Sequence, residues 1–139
     1  FVATMEDLEA AAAALEETCR KQSDQQALLG LDVEWRPGLE KRGGMQKHRR
    51  SAQVVANLEP CSTLQLAVDD HVAVFDLYKL ATATAGSLAE VFSSKIGAIM
   101  EDEKIVKLGF GIQHDLQRLA TSYPHLSCFR CIRPVLDVQ

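Results

Sequence analysis

The chain has 139 residues, of which 47% are hydrophobic and 24% charged, and carries a formal net charge of −4. That length buries a real core but does not stretch to two ordinary domains, and the composition excludes a disordered chain. No apolar run approaches the roughly 20 residues that span a bilayer, and the net acidity argues against a surface that binds polyanions all over, while leaving room for a local basic patch.

Residues 1–4 form a short β-prone lead. Thr4, with Asp7 three positions on, is an N-cap signature ahead of a helix on which Leu8, Ala11, Leu15 and Cys19 make one apolar stripe through an alanine-rich run. After a polar connection at 22–26, residues 28–35 read as a strand that Pro37 and Gly38 end. From there to about Cys61 no period is sustained, which predicts a long loop. Within it Lys41, Arg42, Lys47, Arg49 and Arg50 face the single acid Glu40. This basic segment is either a solvated insertion or, beside a site that handles nucleic acid, a flap that meets phosphates.

Residues 63–68 and 72–77 are β-rich runs separated by Asp69, Asp70 and His71, which predicts a hairpin. Residues 81–86 read as a small-residue connector, and Ser87 as the cap of a helix carrying Leu88, Val91, Phe92, Ile96 and Ile99 at helical spacing. The acidic run Glu101 to Glu103 ends that helix. A strand is expected over 104–110, a permissive turn at Gly109 and Gly111, and a helix over about 113–122 with Leu116 and Leu119 on its buried side, closed by Pro124. Short extended pieces are expected at 129–132 and 135–138. The order strand, strand, strand, helix, strand, helix, strand implies an α/β domain: a mixed sheet with a three-strand antiparallel meander and a parallel half covered by crossover helices.

Four cysteines, at 19, 61, 128 and 131, give no disulfide framework, which fits a reducing compartment. Cys128-x-x-Cys131 lacks a second ligand pair and is expected to be two buried or partly buried thiols flanking Phe129. The chain opens on Phe1, and its last residues read as a strand still in progress. Residues 1–139 are therefore expected to be a single domain, C-terminally incomplete, from a longer protein that is intracellular, nuclear or cytoplasmic, and not secreted.

The stretch from Leu29 to Trp35 sets Asp32 and Glu34 into an otherwise apolar strand. Alternation puts both acids on one face, about 6.6 Å apart along the strand from a rise of about 3.3 Å per residue, with Leu31, Val33 and Trp35 on the other. A solvated edge strand explains the pattern, and so does a divalent cation that neutralises their repulsion. Asp115 falls in the first turn of a helix that starts at the carboxyl end of a parallel strand, where ligands of such sheets bind. A favourable meeting with the helix dipole would account for it equally well.

Taken together, Asp32-x-Glu34, the hairpin run Thr63 to Ala67 and the segment Lys107 to Leu119 resemble the DEDD superfamily of 3′–5′ exonucleases, with their ribonuclease-H-like fold, and Gly109 to Leu119 with Ser122 to Leu126 looks most like the ribonuclease D, Werner-type and mutator-type branch. The resemblance runs from Val2 to Gln139. It implies a mixed sheet with helices packed on both sides. It also implies hydrolysis of phosphodiester bonds from the 3′ end of DNA or RNA by a two-metal-ion mechanism, with two divalent cations, Mg²⁺ or Mn²⁺. Asp32, Glu34 and Asp115 match the family's metal-holding carboxylates. Asp137 matches a recurring aspartate that is not the fourth ligand. Trp35, Arg49 and Arg50 are candidates to contact substrate, although strand parity also assigns Trp35 to the core. The family's third motif, a Tyr or His followed by the fourth acid, has no match in these residues; Tyr123 and His125 sit beside the second motif and read as packing and helix termination. The alternatives are a catalytically incomplete binding or interaction module of the same fold, and a nuclease cutting internally. Protein partners are not readable, and no membrane association is expected.

Overall fold

The structure, a computed structural model, describes residues 1–22, 26–35, 59–82 and 87–139. Helix α1 (Met5–Lys21) starts where the Thr4 hydroxyl both accepts the Asp7 N–H and donates to the Asp7 carboxylate. Its buried stripe is Leu8, Ala12, Leu15, Thr18 and Cys19, with Ala11 partly covered. Strand β1 (Ala27–Trp35) is followed by the hairpin β2 (Cys61–Val68) and β3 (His71–Asp76). Asp69 adopts a positive φ of 51° at the hairpin turn, a conformation that aspartate tolerates better than most residues. Val2 adds one parallel bridge to the outer edge of β3, at Phe75.

Two short elements depart from the sequence reading. Residue 77 does not extend the hairpin, because the Asp76 carboxylate accepts the Lys79 N–H and so caps a six-residue helix, α2 (Leu77–Thr82), where a connector was expected from 81. The residues about Phe129 are not extended either: Ser127–Phe129 is a 3-10 turn that buries Cys128 and Phe129, its Cys128 N–H donating to the Ser93 hydroxyl. Cys128 is buried, and burial pushes its thiol up to about 11, but Cys131 is exposed, contrary to the expected pair of covered thiols.

Helix α3 (Ser87–Glu101), strand β4 (Ile105–Gly109), helix α4 (Ile112–Ser122) and strand β5 (Val135–Asp137) complete the described elements. The sheet order is β3-β2-β1-β4-β5, with β1 antiparallel to β2 and parallel to β4. This is the mixed ribonuclease-H-like sheet expected, and β1 lies at its centre. Ile105, Val106 and Lys107 are buried in succession, so helices cover both faces of the sheet at β4. Helix α1 packs on β1, β2, β3 and α3, and α4 packs on β1, β2 and β5.

The core joins Leu8 and Leu15 of α1 to Leu29, Leu31, Leu64, Leu66, Phe75 and Phe92, each large side chain contributing about 1.5–3 kcal/mol by leaving water. Phe75, Phe92 and Phe129 meet edge to face, with centroids 5.9 and 6.0 Å apart. Where α4 ends, the Ser122 hydroxyl accepts the Cys61 N–H and the buried Tyr123 hydroxyl donates to the Cys61 carbonyl. His125 meets the Ala81 carbonyl at 2.9 Å. These residues tie α4 to the start of β2 and to α2, in keeping with packing and termination. No described helix is long and apolar enough to cross a membrane.

Candidate active site

Burial along β1 alternates as the sequence pattern requires: Leu29, Leu31 and Val33 are buried, and Asp32 and Glu34 are exposed. Asp32 pairs in register with Gln65, and Glu34 with Thr63. The register then slips, so that Trp35 faces Cys61, leaving Ser62 as the extra residue of β2. The Ser62 hydroxyl donates to the Glu34 carbonyl at 3.0 Å, fastening this bulge directly after the second acid. Bulges re-aim the side chain that follows.

Two glycines bring α4 to the acids. A Cβ at Gly109 would stand 2.7 Å from the Leu31 carbonyl oxygen and 3.1 Å from the Ile112 Cβ, so only glycine lets the end of β4 approach β1 this closely, one residue before Asp32. Gly111 takes the left-handed conformation, φ 66°, at the cap of α4. From it, Ile112, Asp115 and Leu119 recur at steps of three and four and are all buried. Asp115 thus occupies a core-facing position in the middle of an apolar stripe, only 7% exposed, and among the described residues no group donates a hydrogen bond to it. Burial raises its carboxyl above the ordinary 3.8, and the charges of Asp32, Glu34 and Asp137 push it further up, while His114 opposes them. The charges of Asp32 and Glu34 on β1 therefore reach Asp115 on α4 and disfavour its ionised form.

Among the described residues, no three acidic, histidine or cysteine side chains stand close enough to clasp one ion. The donor chemistry nevertheless fits a hard divalent cation, since it is all carboxylate, and a cation is the group that would relieve the repulsion. Trp35 is half-buried against the core, with the Arg118 guanidinium 4.0 Å from its ring centroid and the His114 ring at its edge, centroids 6.2 Å apart. One ring face is therefore already occupied by a cation. Arg118 also donates to the Glu59 carbonyl at 3.0 Å, while its buried Nε has no partner among the described residues. Arg49 and Arg50, with the rest of the basic segment, lie outside the described residues.

Sequence reasoning did not single out His114 and Arg118. They stand four apart on α4, on either side of Asp115, so the helical period alone puts them on one flank. A cavity of about 740 Å³ opens elsewhere, at the amino ends of β1 and β4, lined among others by Cys19, Ala27, Ile99 and Ile105. It is remote from the acids, which lie at the carboxyl ends of the same strands, where parallel sheets bind ligands.

No family model matches the chain. The human exonuclease mut-7 homolog is 35% identical over 100 residues, 72% of this chain and 10% of that protein, so the chain spans about a tenth of the length of this curated relative. Among solved structures, Trypanosoma brucei RNase D superposes over 99% of this chain and 36% of its own, with a TM-score of 0.63 at 22% identity. The EXD2 exonuclease domain covers 99% of this chain and 54% of its own at TM-score 0.65 and 22% identity, and the Aedes aegypti Nibbler EXO domain 99% and 51% at 0.61 and 19%. At these identities the superpositions establish the ribonuclease-H-like fold, and the sequence relative brings the lineage. Sequence relative and shared fold together support a DEDD 3′–5′ exonuclease domain of the ribonuclease D and mut-7 type.

Proposed function

We propose that this domain hydrolyses phosphodiester bonds from the 3′ end of nucleic acid, with Asp32, Glu34 and Asp115 holding two divalent cations, Mg²⁺ or Mn²⁺. The observation that carries the reading is Asp115, a carboxylate set into the apolar stripe of α4 and turned against two more acids on β1. A structure gives up stability to hold like charges together, and functional sites are where it does so. The reading is also supported by the EXD2 exonuclease domain having been soaked in Mn and Mg, and by T. brucei RNase D having been crystallised with RNA U12.

When bound, cations at such a site supply a hydroxide at neutral pH and relieve charge on the phosphate and leaving oxygens. The chain's own residues prepare the place. Asp32 and Glu34 are exposed and so accessible to a phosphate backbone. Asp115 is buried on the same stripe of α4 as Ile112 and Leu119, and the close packing of Gly109 on Leu31 and Ile112 brings the start of that helix up to β1. Trp35 lies just beyond the acids, and in this reading it and Arg118 flank the terminal nucleotide, with Arg49 and Arg50 meeting phosphates.

The test is shortening of a 3′-labelled oligonucleotide with Mg²⁺ or Mn²⁺. Asp32→Asn and Asp115→Asn should each reduce the rate on the order of a thousandfold, the scale of a lost cation contribution of several kcal/mol. Unchanged shortening in either variant overturns the reading. The second reading, a binding module of the same fold, is favoured by one observation: the acids do not converge on one point among the described residues. It predicts that the parent binds the oligonucleotide without shortening it.

A further inference from the structure

Asp137 closes β5, in register with Gly109 of β4. Its Oδ1 accepts the Gly111 N–H at 2.9 Å and the Gln139 N–H at 3.3 Å. The Val138 N–H donates to the Gly109 carbonyl at 3.0 Å, so the backbone on both sides of the aspartate is held and its carboxylate is fixed over the turn. Helix α4 has no side-chain cap from its N-cap residue, since that residue is Gly111. The helix that bears Asp115 is thus entered through a left-handed turn whose N–H is satisfied from another strand.

We propose that Asp137 is a positioning residue for the carboxylate site: by holding the Gly111 turn it sets where Asp115 stands against Asp32 and Glu34. This rests on the reading of those acids as a cation site. Asp115 lies four residues beyond Gly111, about 6 Å along the helix at 1.5 Å per residue, so a tilt of about 10° at the turn displaces its carboxylate by about 1 Å, enough to spoil a ligand set. Asp137 acts here through a neutral interaction, acceptance of one N–H. That separates its role from a role as ligand, in which its charge would be indispensable.

Two readouts test this on the whole protein: the affinity for Mn²⁺ alone, by calorimetric titration, and the emission of Trp35. Trp35 is the one tryptophan in the sequence and touches α4 through Arg118 and His114, so its emission reports the seat of α4 on β1 with no metal present. Asp137→Ala should weaken Mn²⁺ binding about tenfold, the scale of lost supporting hydrogen bonds around metal ligands, and shift the emission. Asp137→Asn, whose carboxamide oxygen still accepts the Gly111 N–H, should hold both near the parent. Parent-like behaviour of Asp137→Ala, or an Asn variant as impaired as the Ala variant, overturns the proposal. Should Asp137→Ala fail to fold, amide exchange in the parent decides: slow exchange at Gly111 supports the proposal and fast exchange overturns it. A parent that binds no Mn²⁺ overturns the cation reading itself, an outcome distinct from the others.

Discussion

Lys107 and Asp115 are both buried charges on one β4–α4 unit, and the structure treats them in opposite ways. Lys107, 0% exposed, donates from Nζ to the carbonyls of Asp102, Ile105 and Arg133 at 2.8–2.9 Å. All three ammonium donors have acceptors, and these link the end of α3, β4 and the approach to β5. Asp115 is answered by no donor among the described residues, and besides its burial the charges of Asp32, Glu34 and Asp137 disfavour its ionised form. A buried charge whose surroundings satisfy it serves the scaffold, whereas one that meets like charges and no donor is, in the proposed function, where a cation would bind. Burial alone would not tell the two apart.

The largest effect expected is on the satisfied member. Lys107→Met keeps an unbranched apolar stem one atom shorter and leaves three carbonyls without this donor, and should lower stability by about 3 kcal/mol, read as a fall in the urea midpoint with the slope unchanged. Burial holds the Lys107 ammonium down to about 8, against an ordinary 10.5, with Asp102 and Cys19 opposing. Between those values the unfolded chain carries more of this proton than the folded one, so the stability due to Lys107 rises with pH across the window. Subtracting the Met variant's profile from the parent's should isolate that rise. A Met variant as stable as the parent would show that the three bonds only offset desolvation.

The opposed member predicts the reverse. Asp115→Asn removes one of the repelling charges and should raise stability at neutral pH by about 1 kcal/mol while slowing 3′-end shortening on the order of a thousandfold. Its folded carboxyl titrates above 3.8, so the folded protein holds that proton more tightly than the unfolded chain. The stability it lends is complete below 3.8 and is lost as pH rises through the raised folded value. The advantage of the Asn variant over the parent should therefore emerge as pH climbs through that range, in thermal melts without metal. An Asn variant less stable than the parent at neutral pH would place Asp115 with the scaffold after all.

The sequence made one of these two charges readable and hid the other. Asp115 could be found because Gly109, Gly111 and the helical step to Leu119 are local, and because Asp32 and Glu34 break an alternating strand. Lys107 sits in the run Ile105–Gly109, where a lysine reads as solvent-facing. Its acceptors come from Asp102, Ile105 and Arg133, the last 26 residues away, and backbone carbonyls have no sequence signature. The same distinction covers the elements. The hairpin follows from alternation around Asp69 and Asp70, while α2 stayed hidden because its start signal is the Asp76 side chain capping the Lys79 N–H, and its apolar set, Leu77, Leu80 and Ala81, is only about one turn long and begins where the strand pattern ends. Cys131 could not be placed from its spacing to Cys128, because the 3-10 turn Ser127–Phe129 buries Cys128 within it, whereas Cys131 lies beyond the turn and is exposed.

Arg118 falls between the two cases, and its variant should give the smallest effect. Its guanidinium lies on Trp35 and donates to Glu59, yet the buried Nε has no partner among the described residues. It is partly satisfied, as Lys107 is fully and Asp115 not at all. Arg118→Lys keeps the charge and loses the planar group that stacks, so stability should fall by under about 1 kcal/mol, with a shift in Trp35 emission as its ring face is uncovered. If Arg118 serves only the scaffold, oligonucleotide affinity should be unchanged in this variant. If its guanidinium also meets a phosphate beside the acids, affinity should weaken with its salt dependence kept, because the charge is retained and the planar fork is lost, which would set Arg118 beside Asp115 in the proposed site.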